Sequence, residues 1–206
     1  MKKTLMFAAL AAITLSGCSS TLKPAVMNAN GRIDTKEEMK PEDIQVAEDF
    51  REDWKKFAVV AEFTETEAIN EFYYETLVNS GRFGTVYNKE SLEEFIISKD
   101  IEGVTDTSSL ISMRNLARSE GSFLYLRPYF EWEGGYNYRA SIEAVDAETG
   151  KRVFRADKSA FNWAGLDNVM FYPLMDTLLG WIDGEHPVNT DEIVRPGDEA
   201  EETPAE

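Results

Sequence analysis

Phe123-Leu124-Tyr125-Leu126-Arg127-Pro128-Tyr129-Phe130-Glu131-Trp132-Glu133-Gly134-Gly135-Tyr136-Asn137-Tyr138-Arg139-Ala140-Ser141-Ile142-Glu143-Ala144-Val145 is the stretch whose reading decides the fold. Apolar side chains fall at Leu124, Leu126, Phe130 and Trp132, then at Tyr136, Tyr138, Ala140, Ile142 and Ala144, the latter alternating with Asn137, Arg139, Ser141 and Glu143. Period two marks two strands, each with one buried face. Both turn even-numbered residues inward, so facing partners must have numbers with an even sum. A two-residue Gly134-Gly135 loop would pair Trp132 with Asn137 and mix the faces. A three-residue loop, Glu133-Gly134-Gly135, is therefore expected, pairing Trp132 with Tyr136 and Leu126 with Ile142, with glycine at its left-handed position. The same parity carries through Asp146-Ala147-Glu148-Thr149-Gly150 into a third strand over 151–161, with Ala144 facing Phe154. Leu126, Ile142 and Phe154 should then share one core layer beneath a helix carrying Leu178. Glu143, on the opposite face, is expected to be a tolerant surface position.

Working outward, residues 57–63 (Phe-Ala-Val-Val-Ala-Glu-Phe) form a short β-branched apolar run, which reads as a buried strand. Thr64 and Glu67 have the spacing of a capping box. The following helix places Ile69, Phe72, Tyr73, Thr76 and Leu77 on one face and ends at Gly81. Thr85-Val86-Tyr87 reads as a strand, Ser91 with Glu94 as the cap of a short helix through Ile97, and Ser109 to Ser119 as another helix. Downstream, a helix over about 168–182 turns Phe171, Met175, Leu178 and Ile182 to one side, with Pro173 tolerable only near its start. The fold class expected is α+β: a single mixed or antiparallel sheet with a carboxy-terminal three-strand meander, covered by helices.

The flanks read differently. Lys2 and Lys3, an apolar run from Leu5 to Leu15 and the end Leu15-Ser16-Gly17-Cys18 have the three parts of a secretory leader, and that end resembles the lipobox of bacterial lipoproteins. The resemblance implies a diacylglycerol on the Cys18 sulfur, cleavage before Cys18 and acylation of the new amino group. Ser19 follows Cys18 where an aspartate would signal inner-membrane retention in familiar sorting systems, so an outer-membrane address is expected, with the domain facing the periplasm. Residues 1–17 are then the signal peptide, 18–53 an acylated cysteine and tether, with a helix over 42–56 leading into the domain, 54–183 the globular domain, and 184–206 an acidic disordered tail.

The chain has 206 residues and a formal net charge of −17, which becomes more negative when Lys2 and Lys3 leave with the leader. Such acidity repels nucleic acid, so no nucleic-acid partner is expected. With the single cysteine acylated, no thiol remains for a disulfide or zinc, and no metal or other cofactor is expected. The only histidine, His186, sits beside Pro187 in the polar tail, and no Gly-x-Ser-x-Gly elbow or phosphate loop is present. Glu131 and Glu133 flank Trp132 at the spacing that would suit a carboxylate pair acting on glycan. Apart from that pair the chain reads as a non-enzyme.

The better lead is aromatic. Tyr125 and Tyr129 fall on the odd face of their strand, Arg127 lies between them, and Trp132 and Trp163 lie near strand ends. These five are the candidate partner-binding residues, because tyrosine, tryptophan and arginine are the side chains of protein interfaces. The alternative is that helices cover both faces. Two further stretches, Ala117-Arg118-Ser119-Glu120-Gly121-Ser122-Phe123-Leu124 and Val145-Asp146-Ala147-Glu148-Thr149-Gly150-Lys151-Arg152-Val153-Phe154, resemble the helix-glycine-strand junction and the strand turn of TolB amino-terminal-type domains. That group includes periplasmic lipoproteins that activate penicillin-binding proteins and lipoproteins that build the curli secretion channel. The resemblance covers roughly residues 55–182 and implies a protein-binding accessory module. An accessory or assembly factor that binds another envelope protein is the leading expectation. A carboxylate-based enzyme or binder of cell-wall glycan, and a structural subunit of an outer-membrane complex, are the alternatives. The oligomeric state is left open.

Overall fold

The computed structural model describes residues 22–62, 64, 66–161 and 165–185. The leader, Cys18, Trp163, His186 and the acidic tail lie outside the described residues. Six strands form one open mixed sheet: β1 (Ile44–Ala47), β2 (Ala58–Val60), β3 (Val86–Tyr87), β4 (Leu124–Gly134), β5 (Asn137–Asp146) and β6 (Arg152–Phe161), in the order β1-β6-β5-β4-β2-β3. Among the described residues four α-helices accompany it: α1 (Glu67–Ser80), α2 (Lys89–Ser98), α3 (Leu110–Glu120) and α4 (Tyr172–Ile182). The α+β class expected from the alternation is the one observed. The meander is antiparallel, and β2 pairs parallel with both β4 and β3. No helix among the described residues is long and apolar enough to cross a membrane.

The even-inward parity holds, by a different turn. Trp132 faces Tyr138 and Leu126 faces Ala144, one pair further along than a three-residue loop would give. Gly134 pairs with Asn137 across a two-residue Gly135-Tyr136 turn, and a bulge between Trp132 and Gly134 restores the parity that a short turn would break. Gly134 and Gly135 take φ 100° and 60°, which a side chain would resist. In the second hairpin Ala144 faces Phe154 as expected, but a bulge sets Val145 opposite Arg152. Arg152 is thereby moved to the odd face, while Val153 and Phe154 both enter the core.

Leu126, Ile142, Phe154 and Leu178 are fully buried in one cluster with α1 and α4, and the Phe154 ring stacks on Trp181 at 4.9 Å. A second cluster on the other face packs Phe57, Val59, Phe123 and Tyr125 under α2 and α3. Pro173 sits in the first turn of α4, directly after a π-helical segment over Asp167–Phe171 that runs into it without a break. Two caps differ from expectation. The N-cap of α1 is Thr66 without a side-chain bond, and the Thr64 hydroxyl instead meets Asn70. The α2 capping box is Asn88 with Ser91, three residues ahead of the Ser91–Glu94 pair. At α2 the Asn88 side chain, nearer the strand end, accepts from the free Ser91 amide.

Residues 22–53, read from the sequence as a tether, pack onto the domain throughout. No helix forms over 42–56; Ile44–Ala47 is instead the edge strand β1 on β6, between two 3-10 turns. Ala25, Ile33 and Ile44 are buried in the main core. The Ala25 amide donates to Thr76 Oγ1, the Ile33 amide to Asp176 Oδ1, and Arg32 pairs with Asp176 at 2.6 Å and with Glu185. Nearly buried Lys158 donates to the Glu38 carbonyl at 3.2 Å and pairs with Asp43 at 3.4 Å. The signal that would have predicted this is faint: isolated apolar residues without period, filling gaps made by distant helices.

Burial pushes the Tyr73 phenol well above its ordinary value of 10.0, and its buried hydroxyl has no hydrogen-bond partner among the described residues. Tyr125 is raised by burial too, with Arg127 pulling the other way. A folded-state pKa above the unfolded one means this contribution to stability is complete below pH 10 and lost as pH rises beyond it. Tyr73→Phe is expected to match or exceed the native chain in stability at neutral pH, by up to about 1 kcal/mol, because no bond is lost. It should also extend the folded range upward in an alkaline titration followed by circular dichroism. A drop of more than about 1 kcal/mol at neutral pH would show that the hydroxyl has a partner.

Candidate functional site

Among the described residues, helices cover the odd face of the sheet at one end only. The helices α2 and α3 pack over β2 and the start of β4, while the rest of the meander bears polar side chains in cross-strand rows. One row is Arg127, Glu143 and Arg155; the next is Tyr129, Ser141 and Asp157; the third is Glu131, Arg139 and Ser159. Val46 of β1 extends the first row beside Arg155.

Glu143 is the centre of this face and the clearest departure from the sequence reading. It is only 2% exposed although no helix among the described residues packs over it. Arg127 pairs with its carboxylate at 2.9 Å, Arg152 at 2.5 Å and Arg155 at 3.5 Å. Arg155 also grips Asp157 at 2.9 Å, a bond that holds the guanidinium firmly protonated. The Tyr129 ring lies 5.4 Å from the Arg127 guanidinium, and burial raises its phenol pKa while Arg127 opposes that rise. The three guanidiniums thus converge on one buried carboxylate, with the Arg127, Arg152 and Arg155 side chains 21%, 46% and 31% exposed.

Glu143→Ala should therefore be costly. Removing one partner of a buried pair typically destabilises by about 3–5 kcal/mol. The arginines here are part-exposed and water screens them, so about 1–3 kcal/mol is expected. Glu131→Ala, at an exposed position, should stay within about 0.5 kcal/mol. Equal melting points for the two variants would contradict the arrangement.

The five residues singled out by sequence separate in space. Arg127 and Tyr129 lie together on the open face. Tyr125 does not: it is fully buried under the α3 side, its hydroxyl donating to the Thr107 carbonyl at 3.3 Å, so it offers no surface. At Tyr125 the alternative reading holds: the cluster under α2 and α3 covers the odd face of β4 at that row. Trp132 is on the opposite, even face, beyond the core at the tip of the meander, 64% exposed. Trp163 lies outside the described residues. Sequence reasoning missed Glu143, Arg152 and Arg155; the doublet Val153-Phe154, where alternation breaks, was the available signal for the bulge that brings Arg152 in.

Glu133 pairs with Arg139 at 2.8 Å on an exposed strand end, which does not enclose a substrate with Glu131. A groove of about 630 Å³ at the carboxyl end of β2 is lined by Glu62, Glu67, Glu71, Glu75 and Glu90 with Tyr74. Its walls are solvated carboxylates that repel anions. Among the described residues no group of three or more histidine, cysteine, aspartate or glutamate side chains is placed to hold a metal ion.

No protein-family model matches the chain, and no curated protein matches it. Among solved structures, the LpoB C-terminal domain from Escherichia coli is similar at 13% identity and a TM-score of 0.39, over 52% of this chain and 84% of that one. The PelC dodecamer from Paraburkholderia phytofirmans is similar at 18% identity and a TM-score of 0.40, over 69% of this chain and 96% of that one. Lipoprotein GNA1162 from Neisseria meningitidis is similar at 16% identity and a TM-score of 0.36, over 56% of this chain and 87% of that one. Likenesses this distant carry no inference about function.

Proposed function

We propose that the chain is an outer-membrane lipoprotein without catalytic activity that serves as an accessory factor by binding another envelope protein. The contact surface is the open face around Arg127, Tyr129 and Arg155. The observation that carries this reading is the cluster at Glu143: three arginines converge on one buried carboxylate, on a sheet face that α2 and α3 cover only at its other end. Pre-ordered guanidiniums and a neighbouring tyrosine lose little conformational entropy on docking, and both residue types are enriched where interfaces are strongest. The lipobox-like end at Cys18 supports attachment to the bilayer, because two or three acyl chains on one residue make the anchoring effectively permanent.

Anchoring is tested by mass measurement of the mature amino terminus. The native chain should begin at Cys18 with acyl groups attached and fractionate with the outer membrane, and Cys18→Ser should accumulate as an uncleaved precursor. Mature protein without lipid, or recovery in the inner membrane, would contradict the reading.

A further inference from the structure

We infer that the far end of the meander, bearing Trp132, Tyr136 and Phe161, rests on the lipid bilayer that holds the anchor. The inference builds on the proposed acylation of Cys18. Trp132 is 64% exposed, Tyr136 45% and Phe161 70%, and the last two meet edge to face with ring centres 5.9 Å apart. They lie at the end of the molecule where α1 and α4 begin: Phe72 stacks on Tyr172, and Phe171 lies 5.7 Å from Phe130, two residues before Trp132.

The amino-terminal segment leaves the fold toward that same end. Its turn, closed by the Gly31 amide on the Asn28 carbonyl, sits beside Arg82, just past the carboxyl end of α1, and Arg32 after it reaches Asp176 in the middle of α4. From the Met27–Ile33 bridge back to Ala25 the chain climbs to Thr76, toward the start of α1. Leu22 packs against the main core. Only three residues lie between it and Cys18, so the Cys18 backbone lies within about 14 Å of the folded body. A tether that short leaves the domain no freedom to tumble away from the membrane.

The chemistry of the tip suits a bilayer interface. Tryptophan and tyrosine concentrate at headgroup depth, where a ring can be apolar on one side and wet on the other. The Trp132 indole already donates its N–H to the Gly135 carbonyl at 3.0 Å, so entering an apolar layer strands no donor. Arg139 compensates the nearby carboxylate of Glu133.

The test couples the chain from Cys18 to Glu206, through its thiol, to a maleimide-headgroup lipid in phosphatidylethanolamine vesicles containing brominated acyl chains, which quench indoles they touch. In a Trp163→Phe background, Trp54 and Trp181 are buried, leaving Trp132 as the reporter. The emission of Trp132 should be quenched, and that quenching should vanish in Trp132→Phe. An indole placed by Ile97→Trp, on exposed α2 away from the tip, should not be quenched in the Trp132→Phe background. With the thiol blocked, vesicle binding by Phe161→Ser should be weaker than native by about tenfold, the factor that ~1.4 kcal/mol of lost apolar burial represents. No quenching of Trp132, or equal quenching at Ile97→Trp, overturns the inference. Chemical coupling bypasses cellular acylation, so an unacylated Cys18 in cells would sink the anchoring and leave the vesicle result standing, whereas absent quenching sinks the tip contact alone.

Discussion

A chain beginning at Trp54 is expected to lose its cooperative unfolding transition, whereas one beginning at Leu22 should keep it. The shorter chain lacks β1, and with it the strand that covers the β6 edge. It also lacks Ile33 and Ile44, each worth about 1.5–3 kcal/mol of burial. Phe50 goes as well, and with it edge-on ring contacts to Trp54 at 5.6 Å and Trp181 at 5.2 Å. Lys158, nearly buried, would lose Asp43 and the Glu38 carbonyl together. Against a total stability of about 5–15 kcal/mol, these losses are decisive. Thermal melts followed by circular dichroism distinguish the two chains. A sharp transition for the chain beginning at Trp54, within a few degrees of the longer one, would show that residues 22–53 are only draped on the surface.

The second large effect is at Phe154. Its ring is fully buried, stacked on Trp181, and shares its cluster with Leu126, Ile142 and Leu178. Phe154→Ala removes the ring and leaves a cavity between β6 and α4 that neither rigid element can close, at a cost of about 3–5 kcal/mol. Chemical denaturation should show a lower midpoint with an unchanged slope. A loss below about 1 kcal/mol would mean that Phe154 faces outward and that the register of β6 has slipped.

The meander was legible because a half-buried strand writes its own period into the sequence, and Leu126, Ile142 and Phe154 fell where that period placed them. Its turn was not, because a bulge at Glu133 adds a residue without disturbing the parity from which the loop length was argued. The amino-terminal segment was hidden for another reason. Ala25, Ile33 and Ile44 are held by Thr76, Asp176 and β6, all distant in sequence, and single apolar residues at irregular spacing give no local signal of such docking. The candidate site was legible in part. Arg127 and Tyr129 stand out as an aromatic-arginine neighbour pair, but Glu143 reads as an ordinary outward-facing acid until the bulge at Val153 brings Arg152 beside it. A buried carboxylate on an uncovered face depends on three arginines from two other strands, which no local pattern records.

The central claim is that the open face around Tyr129 docks an envelope protein. A photo-reactive phenylalanine analogue incorporated at Tyr129 in the full-length chain, expressed in its native envelope and irradiated, tests it most directly. The account predicts one discrete protein adduct that weakens in Arg155→Glu and is absent when the analogue replaces exposed Val78 on α1. No adduct from position 129, or the same adducts from positions 129 and 78, would contradict it.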